Sequence, residues 1–303
     1  MARVLIADSV AESAIQKMKE SGLELVIRDA NSDGPIEEHI KGFDGVVVRS
    51  ATKITREVIE ASDKLRVIVR AGVGLDNVDA EAAKEKDILV LNTPEAPSVS
   101  VAELVIAMMF AMARNITQAD SSMKGERWEK KKLTGTELWQ KTLGIVGFGR
   151  IGHEVAKRAK ALEMDVLAYD VIDISDACQK YGAKKSTLDE IIAKSDYITL
   201  HVPLLPQTKG MIGANEFNKM KDSAFIVNTS RGGVIDEKAL LEALEEGKIA
   251  GAALDVFENE PPTDWNLVKH PKLIATPHIA SSTSEAQDRV GDLTAEKIID
   301  AFK

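Results

Sequence analysis

The sequence has a single cysteine, Cys178, among 303 residues, so no disulfide can form within the chain. A lone free cysteine is typical of a protein kept in a reducing compartment, and we expect a cytoplasmic location. Aromatic residues are also scarce, at 4% of the sequence. The core must therefore be built mainly from Val, Ile, Leu and Ala.

The sequence also lacks a net positive charge and long apolar runs. The formal net charge is −9, whereas nucleic-acid-binding proteins cluster Lys and Arg to hold phosphates, so we expect no nucleic-acid partner. The longest apolar run, Leu104–Ala113, is about half of the ~20 residues that cross a bilayer. No secretion signal precedes the first apolar segment at Arg3. We expect no membrane partner, and a small anion remains possible as a ligand.

Short β-rich runs alternate with amphipathic segments along the whole sequence, a pattern typical of parallel sheets covered by helices. The predicted strands are Arg3–Asp8, Leu23–Arg28, Gly45–Arg49, Arg66–Arg70 and Ile88–Asn92, then Thr142–Gly147, Asp165–Tyr169, Tyr197–Val202, Ala224–Thr229, Gly251–Val256 and Leu273–Thr276. We predict an α/β fold of two doubly wound parallel-sheet domains. A Rossmann-type cofactor domain, 96–283, is expected to be inserted in a discontinuous flavodoxin-like substrate domain, 1–95 plus 284–303.

Between the two series, the segment Ser98–Met123 contains no strand pattern. Its apolar residues recur as in a helix, and the sequence predicts one long, largely buried helix over Ser98–Met123.

The segment Gly147-Phe-Gly-Arg-Ile-Gly152 contains the pattern G-x-G-x-x-G between a predicted strand and a predicted helix. In a dinucleotide site, Gly147 allows the tight turn, Gly149 lets the backbone approach a pyrophosphate, and Gly152 permits close helix packing. Asp170 ends the next strand, near the expected spacing of about 20 residues, and its carboxylate suits a ribose rather than a 2′-phosphate. The pattern predicts an NAD site.

Three later segments follow predicted strands, and each contains a residue that could act in catalysis: Arg231, Glu260 and His278. Imidazole exchanges protons near neutral pH, and a carboxylate beside it orients the ring and stabilises its protonated form. Arginine can clamp a substrate carboxylate with two hydrogen bonds. The remaining histidines, His39, His153, His201 and His270, show no metal-ligand spacing, so we expect no metal.

These motifs, in this order and over essentially the whole chain, resemble the D-isomer-specific 2-hydroxyacid dehydrogenase family. The resemblance implies an NAD-dependent oxidoreductase, a homodimer formed through the cofactor domain, and Arg231, Glu260 and His278 as catalytic residues. It implies cofactor contacts from Gly147, Gly149, Arg150, Ile151, Gly152, Asp170, Val202, Pro203, Thr229, Ser230, Arg231, Asp255, His278, Ala280 and Ser281. It implies substrate contacts from Arg49, Ser50, Arg70, Val73, Gly74, Lys130, Arg231 and His278.

Further stretches, such as Val48–Lys53 and Arg70–Asp79, resemble the members of this family that act on D-3-phosphoglycerate in the first step of serine biosynthesis. We therefore expect a phosphate pocket that uses Arg49, Arg70 and Lys130. Longer members carry a regulatory domain after the final helix, and this sequence ends at Lys303, so control by such a domain is not expected from it.

Three alternatives remain open. A glyoxylate or hydroxypyruvate reductase, or a D-lactate dehydrogenase, would share Arg231, Glu260 and His278 and differ in the substrate pocket. A formate dehydrogenase is disfavoured because its histidine is typically partnered by glutamine. An NADH-sensing, corepressor-like binding module would belong to another class, and a turnover assay separates it from an enzyme.

Overall fold

The computed structural model describes residues 1–28 and 34–303. The chain divides into two compact units. The discontinuous unit comprises Met1–Pro97 and Ser281–Lys303, and the central unit comprises Ser98–Ala280. Helices and strands are numbered in chain order.

The discontinuous unit contains a parallel sheet of five strands in the order β2-β1-β3-β4-β5, which is the flavodoxin order. The strands are β1 (Arg3–Ile6), β2 (Glu24–Ile27), β3 (Gly45–Val48), β4 (Val67–Arg70) and β5 (Leu89–Asn92). The helices are α1 (Glu12–Glu20), α2 (Ile36–His39), α3 (Arg56–Ala61), α4 (Ala80–Glu85) and α12 (Ser284–Asp300). Every residue of β3 is buried, because helices cover both faces of a parallel sheet.

The central unit contains a parallel sheet of seven strands in the order β12-β11-β10-β9-β6-β7-β8. The strands are β6 (Thr142–Val146), β7 (Asp165–Tyr169), β8 (Lys184–Lys185), β9 (Tyr197–Leu200), β10 (Phe225–Asn228), β11 (Gly251–Leu254) and β12 (Leu273–Ala275). The helices are α5 (Ser98–Ala113), α6 (Ile116–Lys124), α7 (Arg150–Ala161), α8 (Ser175–Tyr181), α9 (Leu188–Lys194), α10 (Ala214–Phe217) and α11 (Glu237–Glu245), with a 3-10 turn at Lys130–Lys132. The order reverses between β6 and β9, the switch point where ligands bind in such sheets.

The predicted fold class, α/β with two doubly wound parallel sheets, is confirmed by these two strand orders. The strands begin and end within a few residues of the predicted bounds. The short strand β8 was not predicted, because two exposed lysines carry no apolar pattern.

The prediction of one helix over Ser98–Met123 is wrong. The segment forms α5 and α6, which meet at a bend of 64°. Asn115, at the break, has the left-handed φ of 51°, a conformation that Asn tolerates better than most residues. Neither proline nor glycine stands within Ser98–Met123, so no helix-breaking residue revealed the bend.

No single helix in the described ranges is long and apolar enough to cross a membrane, and α5 and α6 reach the required length and composition only when joined across their bend.

Candidate active site

The glycine-rich segment forms the turn between β6 and α7. Gly147 has a φ of +91°, and a Cβ there would lie 2.6 Å from the carbonyl oxygen of His201. A Cβ on Gly152 would lie 2.6 Å from the carbonyl oxygen of Gly147, so the helix packs closely against the turn. Gly149 differs, because no heavy atom lies within 4 Å of the position that a Cβ would take. The space above Gly149 at the start of α7 is open, as the approach of a pyrophosphate requires.

Asp170 follows β7 and faces this turn. Its Oδ2 accepts a hydrogen bond of 2.8 Å from the backbone N–H of Phe148, and its Oδ1 accepts one of 2.7 Å from Val171. The carboxylate therefore lies next to the glycine-rich turn, where the sequence predicts the ribose.

The other residues predicted to contact the cofactor lie mostly at the same end of the central sheet. Arg150 and Ile151 begin α7, and the rest of this group follow strands: Val202 and Pro203 after β9, Thr229, Ser230 and Arg231 after β10, Asp255 after β11, and His278 and Ala280 after β12. Ser281 belongs to the discontinuous unit. The Oγ1 of Thr229 is buried and has no hydrogen-bond partner within the described ranges.

The loop that carries Arg231 is shaped by Asn228. The Nδ2 of Asn228 donates to the carbonyl oxygen of Arg231 over 2.8 Å, and its Oδ1 accepts from the backbone N–H of Ser230 over 3.0 Å. Asn228 is 1% exposed, so both bonds are shielded from water. One buried amide thus fixes the backbone on either side of this arginine.

His278 and Glu260 form a direct pair. The Nδ1 of His278 lies 2.6 Å from Oε2 of Glu260, and the side chains are 48% and 39% exposed. Because an ionised carboxylate only accepts hydrogen bonds, Nδ1 donates and Nε2 is left to act on another molecule. The second oxygen, Oε1 of Glu260, accepts from the backbone N–H of Phe257 over 3.1 Å. The sequence-predicted pair is therefore assembled within the central unit.

Asp255 organises the backbone around this histidine. It is fully buried, and its carboxylate accepts hydrogen bonds from the backbone N–H groups of Ile279 and Ala280, each 2.8 Å, and from Oγ1 of Thr276. His278 itself has the left-handed φ of 54°. Bonds on both sides of His278 hold it in a conformation that L-residues seldom adopt.

His201 follows β9 beside the glycine-rich turn. Burial lowers the pKa of its ring to about 3, so the ring is neutral at physiological pH. Its Nε2 lies 3.1 Å from Oγ1 of Thr199. None of the described residues forms a group of three or more His, Cys, Asp or Glu that could hold a metal ion.

In the discontinuous unit, Arg49 directly follows β3 and is held by its backbone. Oδ2 of Asp8 accepts from the backbone N–H of Arg49 over 2.6 Å, and Nδ2 of Asn77 donates to its carbonyl oxygen over 2.7 Å. Ser50 follows at an exposed position.

Arg70 ends β4, the strand next to β3, and is aligned with Val48. The structure therefore brings Arg49 and Arg70 to adjacent strand ends. Val73, in the loop that follows, is held by Nδ2 of Asn92, which donates to its carbonyl oxygen over 2.6 Å, and Gly74 comes next. Lys130 is exposed and belongs to the central unit.

Sequence reasoning missed the residues that hold these loops, namely Asp8, Asn77, Asn92, Asn228 and Glu237. Asp8 and Asn92 do stand at the ends of predicted strands, which was a usable signal. Glu237 had none, because its contact is with a loop about 20 residues later in the chain.

Comparison with known proteins places this geometry in context. Residues 106–280 match the family model described as D-isomer specific 2-hydroxyacid dehydrogenase, NAD binding domain. The chain is 49% identical, over 98% of its length, to a protein of Methanocaldococcus jannaschii named D-3-phosphoglycerate dehydrogenase, and covers 57% of that protein. It thus spans little more than half the length of the curated relatives it matches.

Solved structures with the same fold have lower sequence identity. A glyoxylate reductase from Paecilomyes thermophila superposes with a TM-score of 0.91 at 32% identity, covering 100% of this chain and 95% of that one. A D-lactate dehydrogenase from Aquifex aeolicus, solved with NAD and lactic acid, gives a TM-score of 0.86 at 33% identity over 99% of this chain and 95% of that one.

Proposed function

Because this chain belongs to the D-isomer specific 2-hydroxyacid dehydrogenase family, we propose that it interconverts D-3-phosphoglycerate and 3-phosphohydroxypyruvate with NAD. This reaction would be the first step of serine biosynthesis. The Glu260–His278 pair carries the reaction class, since it supplies a proton-transfer group on the same sheet as the dinucleotide turn.

The glycine-rich turn suits the pyrophosphate of NAD. Gly149 leaves open the space that a side chain would fill, and the first N–H groups of α7 are available to an anion. Asp170 would accept hydrogen bonds from the ribose hydroxyls and repel a 2′-phosphate. Val202, Pro203, Thr229, Ser230 and Ala280 would line the remainder of the cofactor site, with Ser281 following in the chain. When bound, NAD accepts the hydride from C2 of the substrate.

His278 would remove the hydroxyl proton in the oxidative direction through Nε2. Its other nitrogen already donates to Glu260, which keeps the ring oriented and stabilises the positive charge that the ring gains. In the reductive direction the same nitrogen returns a proton to the oxygen on C2.

Arg231 would bind the substrate carboxylate and polarise the 2-oxo group. A guanidinium stays charged throughout the accessible pH range and can form two parallel hydrogen bonds to a carboxylate. The buried Asn228 fixes the backbone at Arg231, so the guanidinium starts from a defined position.

The phosphate group is what distinguishes D-3-phosphoglycerate from other small 2-hydroxy acids. Arg49 and Arg70 stand at adjacent strand ends, and two guanidinium groups so placed attract a dianion. Lys130 would add a third cation, and backbone N–H groups near Val73 and Gly74 would contact the carboxylate end, with Ser50 beside Arg49. The name of the relatives at 47–49% identity is the strongest support for this substrate.

Glyoxylate reduction is the second candidate, favoured by the TM-score of 0.91 with a glyoxylate reductase. A direct test is the oxidation of NADH by 3-phosphohydroxypyruvate, hydroxypyruvate, glyoxylate and pyruvate. The proposal expects the highest kcat/KM with the phosphorylated substrate. A preference for glyoxylate would transfer the assignment to the reductase, and no turnover with any of the four would favour a binding module.

We also propose a homodimer that forms through the central unit. Exposed apolar side chains occur on and after α5 and α6, including Phe110, Ile116, Met123, Trp128 and Trp139. Such residues are typical of a surface covered by a second subunit. A cytoplasmic location stays a prediction from the single cysteine.

A further inference from the structure

Glu237, the first residue of α11, reaches the loop that follows β11. Its Oε1 accepts a hydrogen bond of 2.6 Å from the backbone N–H of Glu258. Glu258 stands two residues before Glu260, whose carboxylate contacts His278. The start of α11 is therefore linked directly to the loop that supplies the proposed acid–base pair.

The same loop is also held from the Arg231 side. A Cβ on Gly232 would overlap the carbonyl oxygen of Phe257, so the two backbones lie against each other. The N–H of Phe257 in turn donates to Oε1 of Glu260. Contacts at Phe257 and Glu258 together determine where the side chain of Glu260 begins.

Glu237 is not the residue that caps the N-terminus of α11. That role belongs to Asp236, whose Oδ1 accepts from the backbone N–H of Ala239 over 3.0 Å. Burial raises the pKa of the Glu237 carboxyl, the hydrogen bond from Glu258 lowers it, and the negative charges of Glu258 and Glu260 raise it again. The surroundings of the Glu237 carboxylate therefore oppose its ionisation. The hydrogen bond that it accepts from the backbone of Glu258 is the interaction that we assign to it.

We propose that Glu237 is a positioning residue for the dehydrogenase reaction, which holds the Glu258 backbone so that Glu260 meets His278. Arg231 and Glu237 lie on the same connection between β10 and α11, so this bond also sets the arginine relative to the acid–base pair. The inference rests on the proposed function, which assigns proton transfer to His278 and Glu260.

Two substitutions of Glu237 test the length of its side chain and its charge separately. Glu237→Gln keeps the length of the side chain and an oxygen acceptor but removes the charge. Glu237→Asp keeps the charge but withdraws the oxygen by one methylene group. We expect Glu237→Gln to retain kcat and Glu237→Asp to lose about tenfold in kcat with little change in KM for NADH, because small displacements of catalytic groups are costly. Glu242→Asp, at an exposed position of α11, is the matched control.

The measurements are kcat and KM with both 3-phosphohydroxypyruvate and glyoxylate, and the NMR chemical shifts of the His278 ring at one fixed pH, assigned with His278→Gln. In Glu237→Asp the ring shifts should move away from wild type in the same direction as in Glu260→Gln, whereas in Glu237→Gln they should stay near wild type. Wild-type kcat and wild-type ring shifts in Glu237→Asp would overturn the proposal. Equal damage from Gln and Asp would also overturn it.

The design distinguishes this proposal from the proposed function. If the chain turns over glyoxylate but not the phosphorylated substrate, the Glu237 comparison is made on glyoxylate. If it turns over neither, the chemical shifts of the His278 ring alone decide, since that measurement needs no activity. Should Glu237→Asp fail to fold by circular dichroism, Glu237→Ala replaces it, because alanine favours the helix and also lacks the acceptor.

Discussion

At the scale of single residues, the imidazole of His278 is the group on which turnover should depend most. We predict that His278→Ala lowers kcat by about 10²–10⁴-fold, the usual contribution of a general acid or base. His270→Ala is the control, since His270 is a partly buried loop histidine whose Nδ1 accepts from the backbone N–H of the nearby Lys272. Steady-state rates with NADH and 3-phosphohydroxypyruvate measure both. Equal losses in the two variants would contradict a specific role for His278.

Glu237 also gives a stability prediction, because burial raises the pKa of its carboxyl in the folded state. A folded protein that binds this proton more tightly than the unfolded chain loses stability as the pH rises through the folded pKa. Glu237→Gln cannot titrate. The free energy of unfolding of the variant relative to wild type should therefore increase between about pH 4 and about pH 8. Urea unfolding at the two pH values measures it, and a constant difference would exclude the burial effect.

For His201 the pH dependence of stability has the opposite sign, because burial lowers the pKa of its ring to about 3. The unfolded chain protonates this ring below its ordinary pKa of 6.5, whereas the folded chain does so only as the pH approaches about 3. The stability contributed by the neutral ring is therefore fully present above pH 6.5 and is lost as the pH falls toward 3. We predict that the advantage of wild type over His201→Gln in unfolding free energy shrinks between about pH 7 and about pH 5. An advantage that grows on acidification would contradict a buried neutral ring.

At the scale of structural elements, two glycines of the glycine-rich turn should contribute differently to stability and to cofactor binding. A methyl group on Gly149 meets no protein atom within 4 Å, whereas one on Gly147 lies 2.6 Å from the carbonyl oxygen of His201. We predict that Gly149→Ala keeps the unfolding free energy of wild type but weakens NADH binding, while Gly147→Ala also loses stability. Fluorescence titration with NADH and urea unfolding provide the two readings. Unchanged NADH affinity in Gly149→Ala would argue against a pyrophosphate at this turn.

The elements also show what could be predicted from sequence. Short β-rich runs located every strand except β8, and the glycine spacing located the turn, because both depend on local conformation. The bend at Asn115 was not predicted, since it depends on one residue in a left-handed conformation and no proline or glycine marks it. The contact of Glu237 with Glu258 escaped for another reason, as it joins separate loops that only the folded sheet brings together.

At the scale of the whole molecule, the residues proposed for proton transfer and the arginines proposed to bind phosphate occur in different units of the chain. Motif order predicted Arg231, Glu260 and His278, and the structure places the last two in contact in the central unit. The proposed phosphate site is harder to predict, because arginines at strand ends are common. Its support is that Arg49 directly follows β3 and Arg70 ends the neighbouring strand β4 of the discontinuous unit.

A comparison of two substrates tests that phosphate site. We predict that Arg49→Ala and Arg70→Ala each lower kcat/KM for 3-phosphohydroxypyruvate by an amount equivalent to about 1.5–3 kcal/mol, the value of a hydrogen bond to a charged group. Lys130→Ala should cost less, because an ammonium group binds phosphate as a point charge without the paired contact of arginine. Activity on glyoxylate, which has no phosphate, should change little in all three variants. Lys131→Ala, the neighbouring lysine of the same turn, is the control for Lys130→Ala. A parallel loss on both substrates would mean that Arg49 and Arg70 do not bind the phosphate, and glyoxylate reduction would then become the better assignment.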